Sequence, residues 1–480
     1  MAAKYFSVIA ASVGMLLLTV GIGVGLRIAG GTEQQEGLPS AAPALDPNSV
    51  VSSFVASDAS VFDPDAFKFH TFKEQFIADG ENFIEVDLRN MKLRLWSAGA
   101  AIREVEVLSK GREGSWWETP TGKYAALAKS ASAFSSIGKV YMPWSIQFYG
   151  NFFIHGWPYY PSGEPVAKGY SGGCVRLATE DAKTVFEFAD LGVPILVLDE
   201  ADTLSVQNTE LIAQAQAVTV PPQLSATAAY VVDLDSGLEL FTNRHTEKLP
   251  IASLTKLMTG VVASELIYLE KSITILPSML TVDLPQSDNA SSPLASLLAS
   301  VGLATGDSYT AFDLLYPLLM QSSNDAAVAI GDFIGQNFFV KQMNAKAASL
   351  GMTGTVFADT SGKSAGNISS ASDMRRLAKY IVEKRKFLFD ITRGQHYSTF
   401  GPLTFAGIEN YNEFAADSRL IGVKNGQTTA AGQTLLTVWN LERLDSGETY
   451  RIAMVVLGSE DRAKDTEALL AWLNTSFGLQ

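Results

Sequence analysis

The sequence predicts a multidomain protein: an N-terminal transmembrane helix, a mainly-β domain, and then an α/β domain with an antiparallel sheet and helices. Three observations lead to this prediction. The chain has 480 residues, which is too long for one hydrophobic core. An uncharged stretch stands near its start, and strand-like alternation with Gly and Pro punctuation follows. The final part mixes strands, helices and strands again, which is typical of a helix-covered antiparallel sheet.

The segment Tyr5 to Leu26 comprises 22 residues without a charge. An apolar helix of this length spans a bilayer and exceeds the apolar region of a cleaved signal peptide. Lys4 lies on its short side, so the positive-inside tendency places the N-terminus in the cytoplasm. We therefore expect an uncleaved, single-pass anchor in the cell membrane, with the chain from about Gly30 onward on the extracytoplasmic side.

Composition and periodicity divide the chain into five segments. Residues 30–49 are rich in Gly, Pro, Ser and Ala and are typical of a tether. Ile84–Leu88 and Lys92–Trp96 alternate with period two around a short turn, which predicts a hairpin. The predicted segments are a cytoplasmic stub with the transmembrane anchor (1–29), a linker with a candidate helix (30–80), the mainly-β domain (81–200), a second linker (201–225) and the α/β domain (226–480).

The charge balance and the metal-binding residue types exclude some classes of function. The formal net charge is −14, so the chain has no basic excess with which to neutralise the phosphates of a nucleic acid. Its four histidines and one cysteine show no paired metal-ligand spacing. We expect neither a nucleic-acid partner nor a metal site, and no cofactor is implied.

Cys174 is the only cysteine, so it cannot form an intramolecular disulfide, and it lies nineteen positions after His155. A lone cysteine is often a small core residue. A nucleophilic thiol instead needs a nearby base or cation that favours the thiolate, and His155 can serve, with the Gly156 carbonyl orienting its ring. Gly172 and Gly173 allow backbone N–H groups to approach a developing oxyanion.

Together with Thr119–Tyr124 and Met142-Pro143-Trp144, this pattern resembles the L,D-transpeptidase family over about residues 81 to 199. The resemblance implies a mainly β fold and acyl transfer from a peptidoglycan tetrapeptide stem with release of D-alanine. Cys174 would be the nucleophile and His155 its base. Gly172 stands where the family has a histidine, and this leaves both groups in place. Arg176 either binds a substrate carboxylate or braces the loop.

A second nucleophile pattern lies in the last domain. Ser253-Leu254-Thr255-Lys256 is an S-x-x-K motif, Ser322-Ser323-Asn324 supplies S-x-N, and Lys424-Asn425-Gly426 stands where a K-T-G would complete the set. Residues three apart share a helix face, so Lys256 is expected beside Ser253. A helix N-terminus and the Lys424 cation would disfavour a protonated Lys256.

With Pro250-Ile251-Ala252, Leu350-Gly351-Met352 and Ala431-Gly432, the region 226–480 resembles the D-alanyl-D-alanine carboxypeptidase family of penicillin-binding proteins, which share a fold with β-lactamases. The resemblance implies peptidoglycan stem peptides as substrates and β-lactams as inhibitors. Asn425 replaces the family's threonine; its amide is expected to remain able to donate while changing affinity or substrate preference. The implied roles are nucleophile for Ser253, base for Lys256, proton relay and positioning for Ser322 and Asn324, carboxylate binding for Lys424, and a second oxyanion N–H, beside that of Ser253, for Gln427.

Three interpretations of the chain are left open. The first is a membrane-anchored peptidoglycan remodeller that joins a cysteine L,D-transpeptidase to a serine D,D-carboxypeptidase or endopeptidase. The second pairs an active L,D-transpeptidase with a β-lactamase-like or inactive serine domain; class A β-lactamases deacylate with a glutamate, and none occurs from Asn324 to Val382. The third is a non-catalytic wall-binding protein. We favour the first, because two nucleophile sets are present.

The predicted anchor has a direct test in the membrane topology of the chain. A reporter enzyme that functions only outside the cytoplasm should be active when fused after Gln480, because Tyr5–Leu26 is expected to place the rest of the chain there. A matched fusion that is active only in the cytoplasm would contradict the predicted orientation.

Overall fold

The computed structural model describes most of the chain beyond its first 67 residues. The stretch Tyr5–Leu26, in which the transmembrane helix is expected, lies outside this part, as does most of the linker 201–225. Within the described part, no helix is both long enough and apolar enough to cross a membrane. The described residues are 68–199, 220–280, 303–397, 404–405 and 407–480.

A helix, α1 (Lys68–Asp79), precedes the first sheet of the mainly-β domain. This sheet has the order β3-β2-β1-β9-β4. The predicted hairpin is confirmed, since Ile84 pairs with Leu95 in antiparallel register, and the last strand inserts parallel to the first. The strands are β1 (Phe83–Asp87), β2 (Lys92–Ser97), β3 (Ala100–Glu106), β4 (Gly122–Ala125) and β9 (Pro194–Leu198).

The second sheet of this domain carries the cysteine motif and has the order β5-β6-β7-β8. Its last two strands run parallel, which brings two segments distant in sequence side by side. Helix α2 (Thr179–Phe188) packs on β6 and β7, and acidic residues in its first turn interact favourably with the helix dipole. The strands are β5 (Ala128–Ser135), β6 (Val140–Tyr149), β7 (Phe152–Gly156) and β8 (Val175–Leu177).

The sheet of the α/β domain is antiparallel and has the order β11-β10-β18-β17-β16. The two strands that come first in the domain's sequence therefore pair, through β10 and β18, with the three strands that come last. Every residue of the second strand in this order, β10, is buried, because helices cover both faces of the sheet. The strands are β10 (Ala228–Asp233), β11 (Glu239–Asn243), β16 (Leu420–Thr428), β17 (Gly432–Glu442) and β18 (Thr449–Ser459).

The helices between these strands form the larger core, and α3 lies at its centre, with eleven of its twelve residues buried. The described residues of this domain also form two small sheets and two short 3-10 helices, Ala252–Leu254 and Pro277–Met279. The small sheets pair β12 (Leu249–Pro250) with β15 (Ile368–Ser369), and β13 (Ser272–Thr274) with β14 (Ser308–Thr310). The helices are α3 (Thr255–Leu266), α4 (Ala311–Met320), α5 (Asn324–Ile334), α6 (Gln336–Ser349), α7 (Ala371–Lys384), α8 (Lys386–Thr392) and α9 (Arg462–Phe477).

Residues 321–323 separate two helices, α4 (Ala311–Met320) and α5 (Asn324–Ile334). Ser322 has a left-handed φ of 59°, which ends regular helix. The Ser323 side chain accepts a hydrogen bond from the backbone N–H of Ala326 and so caps the N-terminus of the second helix, a position at which serine is favoured. The break places the S-x-N motif at a helix start. Both domains lie within one compact unit, Asp58–Gln480.

Candidate active sites

Ser253 and Lys256 lie side by side where the 3-10 helix Ala252–Leu254 continues into α3. Lys256 Nζ donates to Ser253 Oγ at 2.9 Å and to Asn324 Oδ1 at 3.0 Å. It also donates to the Ser361 carbonyl at 2.5 Å. The structure therefore brings together the expected nucleophile, its base and the first residue of α5.

The environment of Lys256 favours its neutral form. The residue has no solvent exposure, and this burial lowers its pKa to about 7, although the negative charge of Asp359 acts in the opposite direction. A base whose pKa lies near the working pH combines availability with proton affinity. Lys256 is thus suited to accept the proton of Ser253 directly across their hydrogen bond.

Ser322 combines backbone strain with a hydroxyl that is not engaged. Its φ of 59° is uncommon for a residue other than glycine and costs conformational energy, as often occurs at functional sites. Within the described part of the chain, its buried Oγ has no hydrogen-bond partner. A buried unpaired hydroxyl is unfavourable unless a ligand satisfies it, which agrees with a role toward substrate.

The expected oxyanion donors lie at a close backbone approach between β16 and the start of α3. A Cβ on Gly426 would lie 2.8 Å from Ser253 N, so only glycine allows this approach. Gln427 follows on β16 and is exposed. The N–H groups of Ser253 and Gln427 are therefore supplied by two facing backbone segments.

The sequence analysis missed the loop that holds Lys256 from the other side. Asp359 accepts backbone N–H groups of Ser361, Gly362 and Ser364, and this turn directs the Ser361 carbonyl to the lysine. A Cβ on Gly362, which has a φ of 86°, would lie 2.0 Å from the Ala252 carbonyl oxygen. The Asp-x-Ser-Gly pattern is typical of a side-chain-stabilised turn and could have indicated the loop.

Lys424 is buried, and its side-chain nitrogen donates hydrogen bonds to the next residue, Asn425. Nζ donates to the Asn425 carbonyl at 2.9 Å and to Asn425 Oδ1 at 3.0 Å. Burial lowers the pKa of Lys424 well below its usual value, and the neighbouring cations Lys256 and Arg462 lower it further. In this arrangement Lys424 contributes less positive charge for a substrate carboxylate than the motif alone suggests.

The structure corrects the expectation that the Asn425 amide remains able to donate to substrate. Its Nδ2 donates to the Tyr411 carbonyl at 2.6 Å and to Glu413 Oε2 at 2.9 Å, so both of its N–H groups are engaged. Arg462 Nη2 forms an ion pair with Glu413 Oε1 at 2.6 Å. The sequence analysis missed Glu413 and Arg462, because no motif relates them to Asn425.

In the mainly-β domain, the parallel ladder of β7 and β8 pairs His155 with Arg176. Cys174 immediately precedes β8, two positions before Arg176. Because side chains on a strand repeat with period two, Cys174 lies on the face shared by Arg176 and His155. The ladder thus brings the expected nucleophile and base to one face.

The loop before Cys174 is fixed by local hydrogen bonds. Ser171 Oγ donates to the Cys174 carbonyl at 2.6 Å and accepts the Gly173 N–H at 3.0 Å. Gly173 has a φ of 103°, and a Cβ there would lie 2.3 Å from the Phe152 ring, so glycine is required. Gly172 is exposed with nothing within 4 Å of an added Cβ, so packing does not exclude the family's histidine at this position.

His155 is oriented as a neutral base. Its Nδ1 lies 2.6 Å from the Gly156 carbonyl, which can only accept, so this nitrogen carries the proton and Nε2 has a free lone pair. Burial lowers the pKa of His155 to about 4, and burial raises the pKa of the Cys174 thiol to about 11. At neutral pH the resting pair is therefore imidazole and thiol.

Arg176 and Gly156 support this face. The Arg176 guanidinium lies 5.6 Å from the Trp157 ring centroid, and its charge lowers the pKa of Cys174 against the larger effect of burial. The backbone N–H of Arg176 donates to the Ser109 carbonyl at 2.9 Å, which holds β8 in place. A Cβ on Gly156 would lie 3.0 Å from Thr179 Cα, so glycine permits the contact with α2.

A serine beside a buried lysine in the α/β domain, and a cysteine and histidine on one face of the mainly-β domain, form the two candidate sites of the chain. The chain belongs to the D-alanyl-D-alanine carboxypeptidase family, whose family model matches residues 214–460, just over half of its length. A second family model, for the L,D-transpeptidase catalytic domain, matches residues 81–197. Both resemblances noted in the sequence are confirmed.

Similar proteins match the serine domain. D-alanyl-D-alanine carboxypeptidase DacC of Escherichia coli K12 is 30% identical over 268 residues, covering 54% of this chain and 63% of that protein. A D-alanyl-D-alanine endopeptidase of Pseudomonas aeruginosa is 28% identical over 282 residues, covering 55% of this chain and 84% of that protein. The crystal structure of D-alanyl-D-alanine carboxypeptidase from Mycobacterium tuberculosis H37Rv has 26% identity and a TM-score of 0.44, covering 54% and 94%. The chain thus spans less than two thirds of the E. coli carboxypeptidase.

The lowered pKa of Lys256 predicts the pH dependence of acylation. Because the neutral amine is the base, the rate at which a penicillin acylates Ser253 should rise as the pH increases through about 7 and then level off. Stopped-flow acylation between pH 5 and 9 measures this profile, with Ser253→Ala as the blank. A rate that is constant or falls over this range would contradict Lys256 as the base.

The contacts of Asn425 predict the effect of restoring the family's residue. Asn425→Thr removes both amide donors and the side-chain acceptor of Lys424, so KM for a peptide ending in a free D-alanine carboxylate should fall by about tenfold or more, as expected for one regained charge-assisted hydrogen bond. Steady-state hydrolysis of the acid and of the matched C-terminal amide checks the origin of the change. An equal improvement with both substrates would refute it.

Proposed function

We propose that the protein is a single-pass membrane enzyme that remodels peptidoglycan with two active sites: a cysteine L,D-transpeptidase and a serine D,D-carboxypeptidase or endopeptidase. One observation carries the proposal. In the serine site, Lys256 Nζ lies 2.9 Å from Ser253 Oγ and has a pKa of about 7, so its neutral form can accept the hydroxyl proton and the nucleophile and base are assembled without rearrangement. The two family matches support the substrate class.

In the serine domain, Ser253 Oγ would attack the carbonyl between two D-alanine residues while Lys256 takes its proton. The N–H groups of Ser253 and Gln427 would stabilise the oxyanion. Ser322, whose hydroxyl is buried and unpaired within the described chain, would pass a proton to the departing amine. Water would then hydrolyse the acyl-enzyme, and the same cycle cleaves a cross-link when the leaving amine belongs to another stem.

In the mainly-β domain, the resting pair is a neutral thiol and a neutral imidazole. His155 Nε2 would therefore accept the Cys174 proton as the thiol attacks the carbonyl of a tetrapeptide stem, in general-base fashion. The positive charge of Arg176 favours the thiolate that forms. Release of D-alanine leaves a thioester, and an amine of a second stem would take the acyl group.

The location follows from the substrate and from the uncharged N-terminal segment. Peptidoglycan lies outside the cytoplasmic membrane, and Tyr5–Leu26 is long enough to anchor both domains facing it. β-Lactams are the inhibitors proposed for the serine site, because they acylate a serine activated by an S-x-x-K lysine.

The two reactions would proceed in series on one stem. Removal of the terminal D-alanine from a pentapeptide by the serine domain gives the tetrapeptide that serves as donor for Cys174. With pentapeptide stems, wild type should form cross-links that mass spectrometry detects, and Ser253→Ala should form none until tetrapeptide is added. Cys174→Ser should trim the stems without cross-linking them, because a serine hydroxyl supplies no thiolate and is a much weaker nucleophile than a cysteine thiol.

Each outcome of this experiment is informative. Cross-linking by Ser253→Ala on pentapeptide alone would show that the two sites do not act in series. Cross-linking that persists in Cys174→Ser would move the transpeptidase nucleophile elsewhere. Failure of wild type to trim pentapeptide would overturn the carboxypeptidase assignment.

A further inference from the structure

Two segments of the mainly-β domain lie between the loop of Cys174 and the serine domain. We name residues 111–119 the bracing loop; the second segment is the turn at Gly150 and Asn151 between β6 and β7. Both touch the cysteine loop at one end and the serine domain at the other. Neither contains a residue that the sequence analysis assigned to catalysis.

The inner end of the bracing loop supports the residue before the nucleophile. Thr119 Oγ1 donates to the Gly173 carbonyl at 2.9 Å and accepts the Gly111 N–H at 2.9 Å. The Trp117 carbonyl lies 2.8 Å from the position that a Cβ on Gly173 would occupy. The loop therefore limits the movement of the backbone that carries Cys174.

The outer end of the bracing loop is held by the serine domain. Lys384 Nζ, at the end of α7, lies 2.9 Å from Glu118 Oε1, with both side chains more than 90% buried, and it also pairs with Asp199 of the mainly-β domain. Arg385 Nη2 donates to the Glu118 carbonyl at 3.1 Å. Trp116 packs against the serine-domain core, with its ring centroid 6.2 Å from that of Phe312.

The turn makes a second connection between the cysteine loop and the serine domain. Asn151 Nδ2 donates to the carbonyl of Leu266, the last residue of α3, at 3.0 Å. The Asn151 carbonyl in turn faces Cys174 Sγ at 3.7 Å. A Cβ on Gly150 would lie 2.2 Å from Leu266 Cδ2, so the turn has no space in which to shift toward the serine domain.

The interface around these segments contains a buried charge cluster of the serine domain. Glu265 Oε1 lies 3.0 Å from Arg385 Nη2, Glu265 Oε2 lies 3.1 Å from Lys346 Nζ, and none of the three side chains has solvent exposure. Lys346 Nζ also donates to the hydroxyl of Tyr124 in the mainly-β domain at 3.2 Å. Opening the interface would break this cross-domain hydrogen bond and would separate Lys384 from Glu118.

We propose that Lys384 and Arg385 of the serine domain are positioning residues for the cysteine site, acting through Glu118 and the bracing loop. The serine domain then supplies part of the framework that holds Cys174 in a partly desolvated position, and the mainly-β domain is incomplete without it. The inference rests on the proposed role of Cys174 as nucleophile. It concerns the conformation of the loop, which can be measured independently of that reaction.

The test compares full-length wild type with Lys384→Met, Lys384→Arg and Glu118→Gln, and with Lys386→Met as a matched control. Lys386 is the exposed neighbour of Arg385 and pairs with Asp390, outside the interface. Iodoacetamide alkylation of Cys174 is followed from pH 6 to 11, since burial raises the pKa of this thiol to about 11. The charged and titratable groups on this face include His155, Arg176 and Tyr160, and none of the variants alters them.

Lys384→Met and Glu118→Gln should loosen the loop and hydrate the thiol. The midpoint of the alkylation profile should then fall by about one pH unit or more. L,D-transpeptidation should decrease about tenfold or more, because a small displacement of a nucleophile is costly. Lys384→Arg should restore both, and Lys386→Met should match wild type. Penicillin acylation of Ser253 should remain within about twofold in every variant, which reports that the serine domain is folded.

Alkylation profiles of Lys384→Met and Glu118→Gln that coincide with wild type would overturn the proposal. Loss of Ser253 acylation together with the change in thiol reactivity would also overturn it, because a general loss of fold would then explain both. If wild type does not cross-link stems but the alkylation midpoint shifts as expected, the positioning role stands and the transpeptidase assignment fails. The two failures are therefore distinguishable.

Discussion

Glu265 is a carboxylate without solvent exposure at the end of α3, where Lys346 and Arg385 neutralise it and Lys346 also bonds to Tyr124 of the mainly-β domain. Burial alone would raise the pKa of Glu265, but the two cations hold it below its usual value. Removal of one partner from such a group typically costs about 3–5 kcal/mol. Because the folded-state pKa is lowered, this contribution is present at neutral pH and is lost as the pH falls through that value. Acid should therefore weaken the interface.

Helix α3 connects this cluster to the chemistry. Lys256 lies in its first turn and Leu266 at its end, where the carbonyl accepts from Asn151. Twelve residues of α-helix extend about 18 Å, so the serine site and the contact beside Cys174 are separated by a single rigid element. A linker that behaves only as a flexible tether would not impose such a distance. The folded interface gives the paired active sites a defined separation.

The serine–lysine pair could be predicted from sequence, because helical spacing alone places residues three apart on one face. The parallel placement of β7 and β8 could not, since a motif gives order along the chain and not strand pairing. The hydrogen bonds from the Asn425 amide to Tyr411 and Glu413 could not be predicted either, because these partners lie in a loop twelve or more positions away in sequence. Glu118 and Lys384 are 266 residues apart, and only the folded chain shows that they meet.

Calorimetric unfolding of the full chain, with and without penicillin bound at Ser253, tests most directly whether the two domains form one framework. A ligand that binds only the folded state raises the transition temperature of every part that unfolds with its site. The account predicts one transition that includes both domains and moves as a whole when Ser253 is acylated, with tryptophan fluorescence of the mainly-β domain following the same shift. Two transitions, of which only one moves with the drug, would contradict it.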